Sequence, residues 1–358
     1  MQKHLYVDFH ILQTVPPSCV NRDDTGSPKT AVYGGVTRAR VSSQAWKHAM
    51  REAFAEGLIA DEDVGQRTKK IIDMIAKYIS AAAPNKDAVE LAKNVVKNIG
   101  IKNDDKEAKA LFFMSKAQAK ALAELAIKEA EGEKIEKNQY KKALKDEPSV
   151  DMVLFGRMVA DDPSLNYDAA AQVAHAISTH AVQNEYDYFT AVDDCAEEDN
   201  AGAGHLGTVE YNSATLYRYA TVNVSELSRQ LGNGKTAEII RAFGEALACS
   251  MPTGKQNTFA NRTLPDAVYV TIREDQPINL CGAFEKAVAK SAQGYVELSK
   301  NALEDYTLYV YDNFADEPSK SFVVGQGLEG LGNAQPFKEM LVELENTVKE
   351  MLAGNEVK

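Results

Sequence analysis

Hydrophobic and polar residues alternate near the start of the chain, over residues 5–11. A period of two is typical of a β-strand with one face in a core. Similar patterning predicts further strands at 186–192, 215–224 and 268–272. Residues 16–40 are rich in Pro, Gly, Asn and Asp, and are predicted to form a long loop after the first strand.

A helical period dominates most of the remaining chain. Ser42 or Ser43 is expected to cap a helix that carries Trp46 and Phe54. Between residues 61 and 145, Lys, Ala and Glu dominate and apolar residues recur at helical spacing, which predicts an all-helical insert. Further helices are predicted at about 168–183, 236–249 and 337–352.

Without the insert and the C-terminal tail, the predicted order is strand, helix, strand, strand, helix, strand. This order is the ferredoxin-like split βαβ arrangement, so the predicted fold class is α+β. RNA-recognition modules share this arrangement, because its open sheet face and loops can meet single-stranded RNA. Many unrelated activities use the same fold, and the fold alone does not establish a function.

The 358 residues carry a net charge of −12, which argues against nucleic acid as a partner, because phosphate binding usually leaves a basic surface. Residues 19–51 are a local exception, with six positive side chains against two negative ones and a local charge of +4. A basic patch on an acidic protein can bind phosphate with little non-specific association. Charge alone favours the simpler interpretation of a solvated, charged surface.

Two glycine-containing motifs do not predict a nucleotide site. Residues 202–207 read Gly-Ala-Gly-His-Leu-Gly, but strand patterning follows where a dinucleotide site needs a helix. Gly254-Lys255 is followed by Gln256 in place of the Ser or Thr of a P-loop. The loop 251–261 still offers several donors beside a glycine, which suits a phosphate or a ribose hydroxyl. An ordinary polar loop is an equal alternative.

No cofactor and no metal are predicted. The four cysteines are far apart and form no Cys-x-x-Cys, which fits reduced thiols in a cytosolic protein. His175 and His180 lie off one helical face and lack a zinc-binding pattern. No apolar run is long enough to cross a bilayer, so no membrane partner is predicted.

Residues 34–51 combine four features that favour phosphate binding. Two glycines permit close approach to a ligand, and two arginines alternate along an extended segment and so share a side. Two serines place free backbone N–H groups at a helix start, and two cations four residues apart share a helical face. These pairs are Gly34 and Gly35, Arg38 and Arg40, Ser42 and Ser43, and Lys47 and Arg51. Their convergence predicts a track for RNA phosphates.

The sequence also resembles the CasC-type backbone subunit of type I-E CRISPR Cascade complexes, in the RAMP superfamily. The motifs that carry the resemblance are Ser18-Cys19-Val20-Asn21-Arg22-Asp23-Asp24, residues 34–51, Leu154-Phe155-Gly156-Arg157-Met158, His175-Ala176-Ile177-Ser178-Thr179-His180, Phe189-Thr190-Ala191-Val192-Asp193-Asp194, His205-Leu206-Gly207-Thr208, Tyr217-Arg218-Tyr219-Ala220 and Lys255-Gln256. They follow one another from the first strand to about Lys290. Val36-Thr37 departs from the pattern, because more basic residues are expected there in relatives.

The resemblance implies a hand-like subunit. A palm of RNA-recognition type would comprise residues 1–60, 146–189 and 214–290, with helical fingers at 61–145. A thumb hairpin would span 190–213, and a helical C-terminal region 291–358. Several copies would stack along one guide RNA, and each thumb would help to flip a guide base out at regular intervals, so that the segments between can pair with target DNA.

The same resemblance assigns contacts to individual residues. The positions implied in RNA contact are Arg22, Arg38, Arg40, Ser42, Ser43, Gln44, Lys47, Arg51, Lys255 and Gln256. Met158 would act as an apolar wedge against bases, with a core methionine as the alternative. Phe189, His205 and Leu206 would belong to the thumb and its contact with the next subunit, although Phe189 could pack in the palm instead.

The implied partners are a CRISPR guide RNA, target DNA through the guide, further copies of the chain, and the large, small, guide-processing and guide-end-binding subunits of Cascade. No catalysis is expected. One rival is a metal-independent RNA-processing nuclease, for which His48 and His205 are the candidate acid and base. The other is a scaffold that binds only protein.

Overall fold

The computed structural model describes residues 4–104, 106–159, 162–191 and 205–356. Its strands are β1 (Tyr6–Ser18), β2 (Thr30–Tyr33), β3 (Val36–Val41), β4 (Gln66–Thr68), β5 (Phe112–Met114), β6 (Ala171–Val173), β7 (Ala176–Ser178), β8 (Glu185–Ala191), β9 (His205–Asn223), β10 (Ala267–Arg273) and β11 (Lys320–Val324). Its α-helices are α1 (Ser43–Ala53), α2 (Ile71–Ala82), α3 (Ala88–Ile99), α4 (Lys116–Ala130), α5 (Lys137–Ala143), α6 (Val150–Phe155), α7 (Val224–Leu231), α8 (Asn233–Cys249), α9 (Gln256–Phe259), α10 (Val296–Asn313) and α11 (Phe337–Glu356). The predicted α+β class is confirmed.

Two compact units make up the chain. The first comprises Met1–Met50, Val173–Thr221 and Phe243–Lys358, and the second Arg51–Gln172 and Val222–Ala242. The predicted division into palm, fingers, thumb and C-terminal region stays a prediction.

The main sheet has the strand order β11-β10-β1-β9-β7-β3-β2. In the βαββαβ pattern, β1 is the first strand, β9 is the third and β10 is the last. In the sheet, β1 lies between β9 and β10. β1 and β10 are antiparallel, with Phe9 opposite Val270. In the first unit, Phe9 packs against Phe243 with ring centroids 5.6 Å apart. The apolar face of the first strand therefore enters a core, as its period predicts, but Asp8 and His10 on the other face are buried as well.

The second unit has a helical core of its own. Apolar side chains from α2, α3 and α4 are buried together with Tyr140 of α5. Ser115 caps α4 in a capping box with Gln118, and Gly100, in the left-handed region, ends α3. A short antiparallel pair, β4 with β5, accompanies the helices.

Two local predictions are wrong. The predicted loop 16–40 contains strands at both ends, because β1 continues to Ser18 and β2 and β3 form a hairpin. The predicted helix 168–183 instead contains β6 and β7, and β7 is held by antiparallel pairing to β3 and β9. There, sheet pairing outweighs the helical preference of an alanine-rich segment. The tail is mainly helical, as predicted, and its one described strand, β11, pairs with β10 at the sheet edge.

Candidate nucleic-acid interface

The glycine pair makes a hairpin turn rather than a ligand cradle. Gly34 and Gly35 both have positive φ, 57° and 78°, as a two-residue turn between β2 and β3 requires. A Cβ at Gly34 would overlap the backbone carbonyl of Glu285, whereas one at Gly35 would meet no atom within 4 Å. The close approach predicted at this position is therefore to the protein's own backbone.

Arg38 is buried, which corrects the prediction of an exposed arginine pair on one side of a strand. Its guanidinium donates to four carbonyl oxygens: Tyr33 at 3.2 Å, Ser178 at 2.9 Å, Phe284 at 2.9 Å and Glu285 at 3.2 Å. These bonds use the fork of donors that a phosphate would need. Arg38 therefore holds the β2–β3 hairpin against the segments that contain Ser178 and Phe284.

Arg40, in contrast, is partly exposed and lies in a basic environment. Its backbone N–H donates to the Lys29 carbonyl at 2.9 Å. Burial and the positive charges of Arg40 and Lys29 lower the pKa of His175, so these three side chains share one electrostatic environment. The amide N–H of Ser43 donates to Nδ1 of His175 at 2.9 Å, which places the start of α1 beside them.

Three N–H groups at the start of α1, those of Ser42, Ser43 and Ala45, are already bonded, which corrects a second expectation. Ser42 N–H donates to Asn21 Oδ1 at 2.9 Å, and Ala45 N–H donates to Ser42 Oγ at 3.2 Å. Ser42 therefore caps the helix, as one of the two predicted caps. Gln44, which follows, is exposed, and Lys47 is partly exposed one turn later.

A second loop of the first unit brings Lys255 and Gln256 to the segment around Cys19. Gly254 packs so closely that a Cβ there would overlap the carbonyl of Val20. Lys255 follows with φ 50°, Gln256 is exposed, and Arg22 is exposed on the adjoining loop. Both Arg22 and Lys255 act on the thiol of Cys19, whose pKa is raised mainly by burial.

We call Arg22, Lys29, Arg40 and Lys255 the basic cluster. The neighbouring carboxylate of Asp23 is partly occupied by its own loop, because it accepts from Thr25 N–H at 2.9 Å and Ser27 N–H at 3.0 Å. A hydrogen bond from the Thr25 hydroxyl, together with these backbone bonds, lowers the pKa of Asp23. The cluster is therefore a cationic surface built from three separated parts of the sequence, suited to phosphate oxygens.

Arg51 was expected to extend this surface, but its charge is already paired. Its Nε donates to Asp151 Oδ2 at 2.8 Å, and its guanidinium lies 4.5 Å from the ring centroid of Phe113. The Asp151 side chain is fully buried. A phosphate at Arg51 would have to compete with this carboxylate.

Met158, in the second unit, is exposed to 85%, which excludes the alternative of a core methionine. The preceding Arg157 is buried and donates to the carbonyls of Phe113, Leu144 and Leu165. Burial lowers the pKa of Arg157 to about 10. The buried Arg157 is therefore followed directly by Met158, whose apolar side chain is exposed to solvent.

The β8–β9 hairpin exposes every residue of β8. Phe189 stands opposite Gly207 and its ring covers that glycine, so Phe189 packs on the hairpin itself. Tyr186 and Tyr188 are more exposed still. The backbones of His205 and Leu206 pair with Ala191 and Thr190. The predicted thumb tip, within 192–204, lies outside the described residues.

Among the described residues, no group of three His, Cys, Asp or Glu side chains could hold a metal ion. Cys19, Cys249 and Cys281 are free thiols. No described helix is long and apolar enough to cross a membrane.

Sequence reasoning missed three residues of this surface. Lys29 was counted in the charge of residues 19–51 but not assigned a role. His175 and Asn21 belong to motifs that carry the family resemblance. Their bonds to Ser43 and Ser42, however, join segments that are far apart in the chain. Only the local excess of positive charge could have pointed to Lys29.

Comparison with known proteins gives consistent matches. A family model described as CT1975-like protein matches residues 7–352. A solved chain from a "CRISPR RNA-guided surveillance complex, pre-nicking" is 31% identical, with a TM-score of 0.80, and the match covers 95% of this chain and 100% of that chain. A chain from a "CRISPR RNA-guided surveillance complex" is 28% identical, with a TM-score of 0.61, over 94% and 99% of the two chains. No curated protein matches the sequence.

Proposed function

This chain belongs to the family of CT1975-like proteins, and from that premise we propose that it is a guide-RNA-binding backbone subunit of a CRISPR surveillance complex, of the CasC type found in type I-E systems. The similarity to chains of two RNA-guided surveillance complexes supports this assignment. The observation that carries it is the basic cluster, a local cationic surface on a protein of net charge −12.

The basic cluster binds the guide through its phosphates. Arg22, Arg40 and Lys255, with Lys29, neutralise phosphate charge, while Gln44 and Gln256 offer amide donors. Backbone contacts of this kind are independent of base sequence, so a complex can accept any guide and leave base edges free for pairing with target DNA. Arg38 and Arg51 act indirectly, by holding the hairpin and the end of α1 in place.

Several copies stack along one guide. An isolated two-stranded hairpin is marginally stable in water, and the exposed side chains of the β8–β9 hairpin need a partner surface, which the next copy supplies. Met158 is the apolar wedge that unstacks guide bases at intervals. The subunit performs no catalysis.

A gel-shift titration on single-stranded RNAs of increasing length tests this proposal. We expect complexes that increase stepwise with RNA length, with the RNA recovered intact. The R40A/K255A variant should weaken binding equally for all RNA sequences and reduce the log–log salt slope by roughly 0.7 for each lost phosphate contact. K338A, which removes one exposed lysine of α11, is a control for loss of surface charge and should leave both unchanged.

Two results would overturn the proposal in different directions. Shortened RNA, with cleavage lost in H48A, would indicate a nuclease; His48 is exposed on α1. The absence of any shift, with unchanged assembly after ribonuclease treatment, would indicate a scaffold that binds only protein.

A further inference from the structure

Helix α10, in the first unit, is apolar on two opposite faces. Its inner face buries Leu303, Thr307 and Val310 in the core. The outer face and the residue that follows the helix expose Leu298 to 41%, Leu308 to 42%, Tyr309 to 51% and Phe314 to 73%. A helix with its core contacts complete needs no large apolar side chains on the solvent side. This concentration therefore indicates an interaction surface.

The aromatic side chains of this face support one another. Tyr306 packs over Gly282, where a Cβ would overlap its hydroxyl group. The ring of Tyr309 lies 6.2 Å from that of Tyr306 and 5.7 Å from that of Phe314, the latter edge-on at 68°. Because the rings are held in place, a partner that covers them orders few additional rotamers.

The surroundings of these rings are acidic. Residues 296–317 contain six carboxylates, Glu297, Glu304, Asp305, Asp312, Asp316 and Glu317, and one cation, Lys300. Lys300 is largely buried and pairs with Glu297 at 2.8 Å. Asp305 and Asp312 are exposed and lie four and three residues from Tyr309, on the same helical face. Such a surface repels nucleic acid and anionic lipid.

We propose that Leu298, Asp305, Leu308, Tyr309, Asp312 and Phe314, together called the α10 patch, bind another protein that presents an apolar anchor between lysines or arginines. Aromatic anchors dominate protein interfaces when they fill a partner's pocket. The acidic rim selects a basic partner through charge complementarity. The α10 patch of a second copy is disfavoured as the occupant, because two surfaces with the same acidic residues repel one another. The patch uses none of the residues assigned to RNA.

A defined peptide probes this surface on the full chain. The probe is a synthetic amphipathic helix with a leucine seam flanked by lysines, and its matched control carries glutamate at every lysine position. Fluorescence anisotropy measures binding to wild-type protein, Y309S/F314S and D305K/D312K. We expect both variants to bind the lysine peptide about tenfold more weakly or worse. The glutamate peptide should not bind.

Variants on α11 distinguish binding at the α10 patch from a general effect of the protein's net charge. E339K/E350K makes the same change in net charge at two exposed positions, and V342S removes an exposed apolar side chain. Both should change affinity by less than about twofold. Equal weakening by E339K/E350K, or binding of the glutamate peptide, would overturn the proposal. Self-association in sedimentation that Y309S/F314S abolishes would make a second copy the occupant, and RNA binding lost in Y309S/F314S would make the face part of the nucleic-acid surface.

Discussion

The guanidinium of Arg51 donates to the carboxylate of Asp151 at 2.8 Å, and the same carboxylate accepts from the backbone N–H of Gly65 at 2.9 Å. A cation that sequence spacing assigns to phosphate is thus the partner of a buried acid. Lys47, four residues earlier on α1, is partly exposed. The two cations should therefore respond differently to mutation.

Arg51→Ala should lower the free energy of unfolding by about 3 kcal/mol, because the Asp151 carboxylate stays buried without its cation. Lys47→Ala should weaken RNA binding, because the resemblance assigns Lys47 to a phosphate contact. Urea denaturation and filter binding measure the two effects. The R51M/D151N double variant should recover part of the stability. An R51A protein as stable as wild type would contradict the structural role of Arg51.

Gly34→Ala should destabilise the protein far more than Gly35→Ala. Both positions have positive φ, which costs a non-glycine residue about 1–2 kcal/mol. Only at Gly34 does the added Cβ also overlap the backbone of Glu285. Thermal unfolding of the two variants isolates the cost of that overlap, and equal losses would show that the turn alone requires glycine.

His10 should make the protein sensitive to acid. Burial and the charge of Arg273 lower its pKa from 6.5 to about 3, so the unfolded chain takes up the proton first. Stability from this group is present above pH 6.5 and falls by about 1.4 kcal/mol per pH unit as pH decreases towards 3. Denaturation at several pH values should show that H10Q lacks this decline relative to wild type.

Asp8 should act in the opposite direction. Burial raises its pKa from 3.8 to about 6, so the folded state holds the proton more tightly than the unfolded chain. Stability from this group therefore increases as pH falls from 6 to 3.8, and decreases as pH rises through that range. D8N should make acid destabilisation steeper than in wild type. Slopes that change in the same direction in D8N and H10Q would contradict this assignment.

Met158→Ser should change stability by less than about 0.5 kcal/mol, since the side chain is exposed. If Met158 contacts guide bases, the fluorescence of 2-aminopurine in bound RNA should decrease at the flipped positions. Val89→Ser, at another exposed apolar side chain of the second unit, is the control. Unchanged fluorescence in M158S would remove Met158 from the RNA surface.

Much of the fold follows from local patterns. Period-two alternation located β1, β8, β9 and β10, and a serine before an apolar helical pattern located the start of α1. The patterns failed at β7, where pairing with β3 and β9 holds the segment in a strand. Strand pairing depends on neighbours far along the chain, which no local window contains.

The candidate site, like the fold, could be predicted only in part from the sequence. The sequence by itself determined the α+β class and the excess of positive charge at residues 19–51, because these depend on composition and short spacing. Only the tertiary structure decided which cations remain available. Arg38 is occupied by carbonyls of Ser178, Phe284 and Glu285, and Arg51 by Asp151, whereas Lys255 joins Arg22 from more than two hundred residues away. Spacing assigns a side chain to a face, but folding decides what covers that face, and a buried charge must find its partners inside the protein.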